Sequence, residues 1–220
     1  MKTDKKFGFT LSEVLIVLVI IGIVAVLTLP SLLKDIQAKA KVNALTSTID
    51  NVQKAIDKEL VEKRANTLND TNIISNQGEF FREHFSLAPN PQSTFAASYR
   101  FYSGATPSGD DLPPLNATCL LKNGVAIGLH RSGTIMAIDV NGADKPNIVG
   151  VDYFVVEISD REDNATGRHL GDVGFTMGDE TSCEARRAAC AGTTNANSCY
   201  QALVLSGFNP RYIEAGSCNN

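Results

Sequence analysis

The chain is predicted to be α+β: one long N-terminal helix laid on an antiparallel β-meander, with a cysteine-rich C-terminal region. Three patterns lead there. An apolar run from Val14 to Leu27 is broken by no charge. Behind it, apolar residues recur every three or four positions at Val42, Leu45, Ile49, Val52, Ile56 and Leu60. Further on, short runs rich in Val, Ile and aromatics are separated by turn residues such as Lys122-Asn123-Gly124 and Ser132-Gly133. The first suits a helix in lipid, the second a helix with one buried stripe, and the third sequential antiparallel strands.

Taken in order, a basic leader with Lys2, Lys5 and Lys6 comes first, then Gly8-Phe9-Thr10-Leu11-Ser12-Glu13 and the apolar run. The stretch 9–33 has about the ~20 apolar residues a spanning helix needs, and its single charge is Glu13. Only a helix satisfies the backbone in lipid. The lysines place the N-terminal flank in the cytoplasm and send the rest of the chain across the membrane. A secretory signal peptide would carry a small-residue cleavage site after its apolar core, but Thr28-Leu29-Pro30-Ser31-Leu32-Leu33 holds none. A plain single-pass anchor leaves Glu13 unexplained, because a carboxylate at the edge of hydrocarbon costs roughly a few kcal/mol without a partner.

Gly8, Phe9, Thr10, Leu11 and Glu13, behind a short basic leader and ahead of an apolar run, resemble the signal of type IV prepilins and type II secretion pseudopilins. The resemblance is sharp over the first 35 residues. It implies a pilin-like fold, cleavage after Gly8 by a prepilin peptidase, and N-methylation of the new terminus at Phe9. It also implies that Glu13 meets the N-terminal amine of a neighbouring subunit. A buried carboxylate and a buried ammonium are each costly alone and tolerable as a pair, so such a contact would also set axial register. The expected partners are the peptidase, other pilin or pseudopilin subunits, an inner-membrane assembly platform, and lipid before assembly. Gly22 lets helices approach closely, and Pro30 removes a backbone donor and kinks or loosens the helix. In the resembling family the segment between such residues can lose helicity in the filament.

The amphipathic continuation, 34–65, is expected to be helical to about Arg64, so that the whole helix is on the order of 80 Å long at ~1.5 Å per residue. The globular part is then 66–220. Asn66–Gln77 reads as a polar loop and Gly78–Phe85 as a short helix with Phe80, Phe81 and Phe85 on one side. Strands are expected near Thr94–Tyr102, Thr118–Leu121, Val125–His130, Thr134–Val140 and Val151–Ser159, the second and third joined by an Asn-Gly hairpin turn. Helical stretches follow near Cys183–Ala191 and Ser198–Leu205. The stretch from Asp139 to Phe154 and the tail from Cys199 to Phe208 resemble, more loosely, a recurring turn and a closing helix of bacterial prepilin-like proteins.

Removing Met1–Gly8 takes three lysines and one aspartate, so the formal charge of −4 becomes −6. An acidic chain argues against a general nucleic-acid surface. Cys119, Cys183, Cys190, Cys199 and Cys218 all follow the anchor, in the part expected outside the cytoplasm, where disulfides persist. Four of them crowd the last 38 residues, which reads as a stapled region of open connectivity; the odd count leaves one thiol free or shared between chains. No C-x-x-C spacing calls for zinc.

Asp139, Asn141, Asp144 and Asp152 put four oxygen-bearing side chains in one turn. The first reading is a turn whose carboxylates cap backbone amides. The alternative is calcium, although Ala143 and Gly150 depart from an EF-hand. No cofactor is otherwise called for. His84, His130 and His169 are scattered, and no hydrolase, P-loop, dinucleotide or zinc-protease motif is present, so catalysis is not expected. The functional expectation is a structural subunit of a pilus or secretion pseudopilus. It would sit in the inner membrane with its domain in the periplasm and then move into a filament. The alternatives are a minor or tip subunit that binds DNA, a surface or a secreted substrate through its cysteine-stapled region, and, further off, a plain membrane-tethered periplasmic domain.

Overall fold

The computed structural model describes residues 8, 10–89, 95–108, 111–163, 167–174, 182–191, 197–215 and 218. They fall into two compact units, Met1–Gln37 and Ala38–Asn220, with the division inside the first helix, α1 (Leu11–Lys63).

In the first unit, α1 is apolar on every side. Its large side chains from Leu11 to Ile36 are all exposed, with Leu15 at 53%, Ile20 at 56% and Leu27 at 74%. The helix runs through Pro30 instead of ending there. Pro30 has no N–H to offer the carbonyl one turn back. Beside it the hydroxyls of Thr28 and Ser31 donate to the carbonyls of Val24 (2.9 Å) and Thr28 (3.0 Å). A Cβ added at Gly22 would meet nothing within 4 Å, so within this chain nothing requires glycine there.

In the second unit, α1 becomes one-sided. Ala38, Val42, Leu45, Thr48, Val52, Ala55, Ile56 and Glu59 are buried, at the three-four spacing of one helical face. Ile49 and Leu60 of the expected stripe are half-buried at its margin, and Glu59 takes a place the apolar pattern gives no hint of. The helix closes with Arg64 at φ 51°, while Ala65 N–H donates to the carbonyl of Leu60 (2.9 Å) and Arg64 N–H to that of Val61 (3.2 Å). These are the two bonds of a Schellman motif, with arginine where glycine is usual.

The sheet is a five-stranded antiparallel meander in the order β1 (Leu115–Leu120), β2 (Ala126–His130), β3 (Ile135–Asp139), β4 (Tyr153–Ile158) and β5 (Val173–Gly174). The β1–β2 hairpin closes through Gly124 at φ 87°, with Asn123 Oδ1 accepting from Val125 N–H at 3.2 Å. Ile127, Leu129, Met136, Ile138, Phe154 and Val156 join the α1 stripe in one core. Ala137, Tyr153 and Val155 belong to a second core with Tyr99, Phe101, Val149, Cys190 and Cys199. The central strands are therefore covered on both faces, and their burial is nearly continuous instead of alternating.

Several expectations need correction. Among the described residues from Phe95 to Tyr102 there is no strand, only a single bridge between Arg100 and Ile148. Here backbone groups find partners in turns: Ala96 N–H donates to the Tyr99 hydroxyl and Phe101 N–H to the Ala105 carbonyl. The polar stretch read as a loop holds a 3-10 turn, Leu68–Asp70, and α2 (Asn72–Ser75). Thr67 with Asp70 and then Thr71 cap these turns, while Leu68 and Ile73 anchor them in the core. The aromatic helix is α3 (Gln77–His84), starting one residue earlier than expected because Asn76 caps it. α4 (Cys183–Ala191) and α5 (Asn197–Leu205) fall where they were expected. β5 and α6 (Pro210–Ala215) were not foreseen, although Pro210 at a first helical position is a readable start signal. Two disulfides, Cys183–Cys218 and Cys190–Cys199, staple the C-terminal region. Cys119, counted with the disulfide candidates, is instead a buried free thiol on β1.

Candidate functional site

The N-terminal site is built by a few consecutive residues. Thr10 precedes the first helical residue, and Glu13 lies three positions on. Thr10 N–H donates to Glu13 Oε2 at 2.8 Å and its hydroxyl to the same oxygen at 2.7 Å. Glu13 N–H in turn approaches Thr10 Oγ1 at 3.3 Å. This is a capping box, in which an N-cap hydroxyl and the third-position carboxylate satisfy each other's orphan donors. The carboxylate also sits at the positive end of the helix dipole. The sequence Thr10-Leu11-Ser12-Glu13 shows this pattern openly, so the role of Thr10 was legible and was missed. Gly8 is exposed just upstream; Phe9 lies outside the described residues. Downstream, α1 is long and apolar enough to cross a membrane, by length and composition.

The second candidate is the turn between β3 and β4. Asp139 and Asp152 are both 0% exposed. The Tyr99 hydroxyl donates to Asp139 Oδ2 at 2.5 Å, and Asn141 N–H to Oδ1 at 3.1 Å. Asp152 accepts the backbone N–H of Ile148 at 2.6 Å and of Asn147 at 2.8 Å. Asn141 spends its amide nitrogen on the carbonyls of Asp144 (2.6 Å) and Lys145 (3.2 Å). The Asp144 residue itself is exposed. The structure thus gathers Asp139, Asn141 and Asp152 into one hydrogen-bonded turn and leaves Asp144 at its rim. Burial pushes the Asp139 carboxyl up to about 7, against the opposing pull of Tyr99 and Asn141. Burial likewise raises Asp152, and it lowers half-buried Lys41 of α1, whose charge acts on both carboxylates. The carboxylate oxygens that would face a calcium ion already accept protein hydrogen bonds, whereas the buried Asn141 Oδ1 and Asn147 Oδ1 make none among the described residues. Tyr99 and Lys41 carry no sequence signal linking them to this turn, from which they are separated by about 40 and 100 positions.

Cys119 is isolated, and burial pushes its thiol up to about 12, so it stays protonated and unreactive at neutral pH. Arg186 and Arg187 lie on α4, half-buried and exposed respectively.

Residues 3–29 match the prokaryotic N-terminal methylation motif, the signal of type IV prepilins and pseudopilins. The motif covers Gly8, Phe9, Thr10 and Glu13 and reaches into the apolar helix, and it implies processing by a prepilin peptidase and assembly with other pilins. No curated protein and no solved structure matches the chain.

Proposed function

We propose that this chain is a structural subunit of a type IV pilus or type II secretion pseudopilus, cut after Gly8 and polymerised through the first half of α1. The observation that carries the reading is the pairing of the methylation motif with a helical surface whose side chains from Val14 to Leu33 carry no charge and whose large apolar ones are all exposed. Such a surface needs lipid or other helices around it. Before assembly it rests in the inner membrane, with Lys2, Lys5 and Lys6 on the cytoplasmic side. The disulfide-stapled domain then stands in the periplasm, where cystines persist.

Glu13 has two uses in this scheme. Within its own chain it caps α1 through Oε2. Its other oxygen, Oε1, accepts no hydrogen bond among the described residues and can take the ammonium of a neighbouring Phe9. Catalysis has no part in the role, since work on the filament comes from the assembly machinery. In the β3–β4 turn, calcium would have to recruit the two orphaned asparagine oxygens and exposed Asp144, and would stabilise the domain rather than serve chemistry.

The test is intact mass with N-terminal sequencing of the protein from its native membrane. A chain starting at methylated Phe9 is expected. An uncut chain in cells with active peptidase would reduce α1 to a tether and sink the proposal.

A further inference from the structure

Glu59 stands on the buried stripe of α1 among mostly apolar neighbours, with its side chain 0% exposed. Carboxylates are almost never buried unless paired. Asn72, at the start of α2, donates its backbone N–H to Glu59 Oε1 at 2.8 Å. His84, at the end of α3, meets Glu59 Oε2 through Nε2 at 2.7 Å, and its own side chain is 1% exposed. The side-chain amide of Asn72 also reaches Glu83 Oε2 at 3.4 Å. One residue therefore orients two carboxylates near the same imidazole. Ligand atoms of Glu59, Glu83 and His84 all lie within 4.8 Å of one another. The second ring nitrogen, His84 Nδ1, is buried and has no hydrogen-bond partner among the described residues. An orphaned polar atom of that kind costs roughly 1–3 kcal/mol.

We propose that Glu59, Glu83 and His84 form a binding site for a divalent transition ion, zinc in the first instance, which ties α1 to α3. One imidazole and two carboxylates suit zinc, whereas calcium and magnesium take oxygen ligands almost throughout. At metal–ligand distances of about 2.0–2.2 Å, tetrahedral ligands stand about 3.4 Å apart, so Glu83 moves inward while Glu59 Oε2 and His84 Nε2, 2.7 Å apart, open slightly and give up the proton between them. Exposed Glu83 is free to make the inward movement, while the buried Glu59–His84 pair has only a small adjustment to make. Asn72 acts behind the ligands, holding both carboxylates in orientation. A cavity of about 500 Å³, lined in part by Glu83 and His84, gives entry to solvent and a route to the open fourth position.

Lys54, Lys58 and Lys122 line the same cavity and oppose a cation. All three are exposed, and Lys58 is engaged with Glu62 at 3.6 Å, so water and salt screen them while the carboxylates touch the ion directly. Binding in the micromolar range is expected. The Cys119 thiol, pushed up to about 12 by burial, does not compete.

The full chain in detergent, stripped with a chelator and dialysed against zinc chloride, tests the site. Wild type should retain one zinc per chain, and its melting temperature should rise with zinc. Glu83→Gln leaves the buried Glu59–His84 contact in place; it should bind at least roughly tenfold more weakly and lose the zinc-dependent rise while melting like wild type without metal. His84→Gln, checked for folding by circular dichroism, should likewise lose zinc binding and the zinc-dependent rise, but melt below wild type without metal because it removes the buried partner of Glu59. No stoichiometric zinc in wild type would overturn the site and leave Glu59–His84 as a structural pair. So would a loss in Glu83→Gln of less than tenfold.

Discussion

The two halves of α1 share one backbone but live in different solvents. From Leu11 to Ile36 its large apolar side chains are exposed all round, with Glu13 as the one carboxylate in the first turns. From Ala38 to Glu59 it buries one face on the sheet and turns Asp50, Lys54, Asp57 and Lys58 outward. The first half lacks, within its own unit, what the second half has: a partner surface. Both are helical although the first half, rich in Val and Ile with Gly22 and Pro30 inside it, has the poorer intrinsic helix propensity, so what separates them is where the free energy of burial comes from. In the second half it is internal and fixed by the fold; in the first it has to come from surroundings outside that unit, lipid or other helices.

The sharpest way to break this comparison is Glu13→Ala. It should leave cleavage after Gly8 largely intact and reduce incorporation into filaments at least tenfold, read by co-expression with wild type and shearing. Normal incorporation would remove the register role. Next is a matched pair of truncations in the detergent-solubilised chain. Ile56→Ala, at a fully buried position, should cost about 2–5 kcal/mol by denaturant melting. Ile20→Ala, at 56% exposure, should stay within about 0.5 kcal/mol. Similar costs at the two sites would mean that the first half is packed within the monomer. Reduction of Cys183–Cys218 and Cys190–Cys199 should lower the melting temperature of the second unit, each bridge being worth about 2–4 kcal/mol, while the helical signal of the first half in micelles stays unchanged.

A smaller effect is expected at the β3–β4 turn. Asp139 titrates near 7 when folded and near the ordinary carboxylate value of ~3.9 when unfolded. Between those limits the unfolded chain has released a proton that the folded chain keeps, so this residue's contribution to stability falls as pH rises from about 4 to about 7. Asp139→Asn should flatten that part of the stability-versus-pH curve, and an unchanged slope would place the titration elsewhere. Smallest of all, Arg64→Gly relieves the left-handed residue at the end of α1 and should stabilise by up to ~1 kcal/mol, in a chain whose first half has no part in the change.

The hairpin turn and the helical periodicities were the most legible features. The Asn-Gly hairpin, the apolar stripe of α1 and the ends of α4 are set by interactions within a few residues. The capping box of Thr10 and Glu13 is equally local, yet it was not read from the sequence. The segment Phe95–Tyr102 misled because aromatic residues read as strand formers, whereas Tyr99 uses its hydroxyl to hold Asp139 and Phe101 fills the second core.

By itself, the sequence determined the processing signal, the two-part helix, the antiparallel order of the central strands and the crowding of cysteines at the end. Each follows from periodicity, short-range sterics or the cost of charge in hydrocarbon. The tertiary structure alone decided which cysteines pair, that the sheet is covered on both faces, and that Asp139 lies under Tyr99 and Glu59 against His84. The disulfides and the two side-chain pairs join residues 9 to 40 positions apart in the chain, and the core between α1 and the sheet joins residues farther apart still. They depend on which faces meet after collapse, and a one-dimensional pattern of polarity does not carry that information.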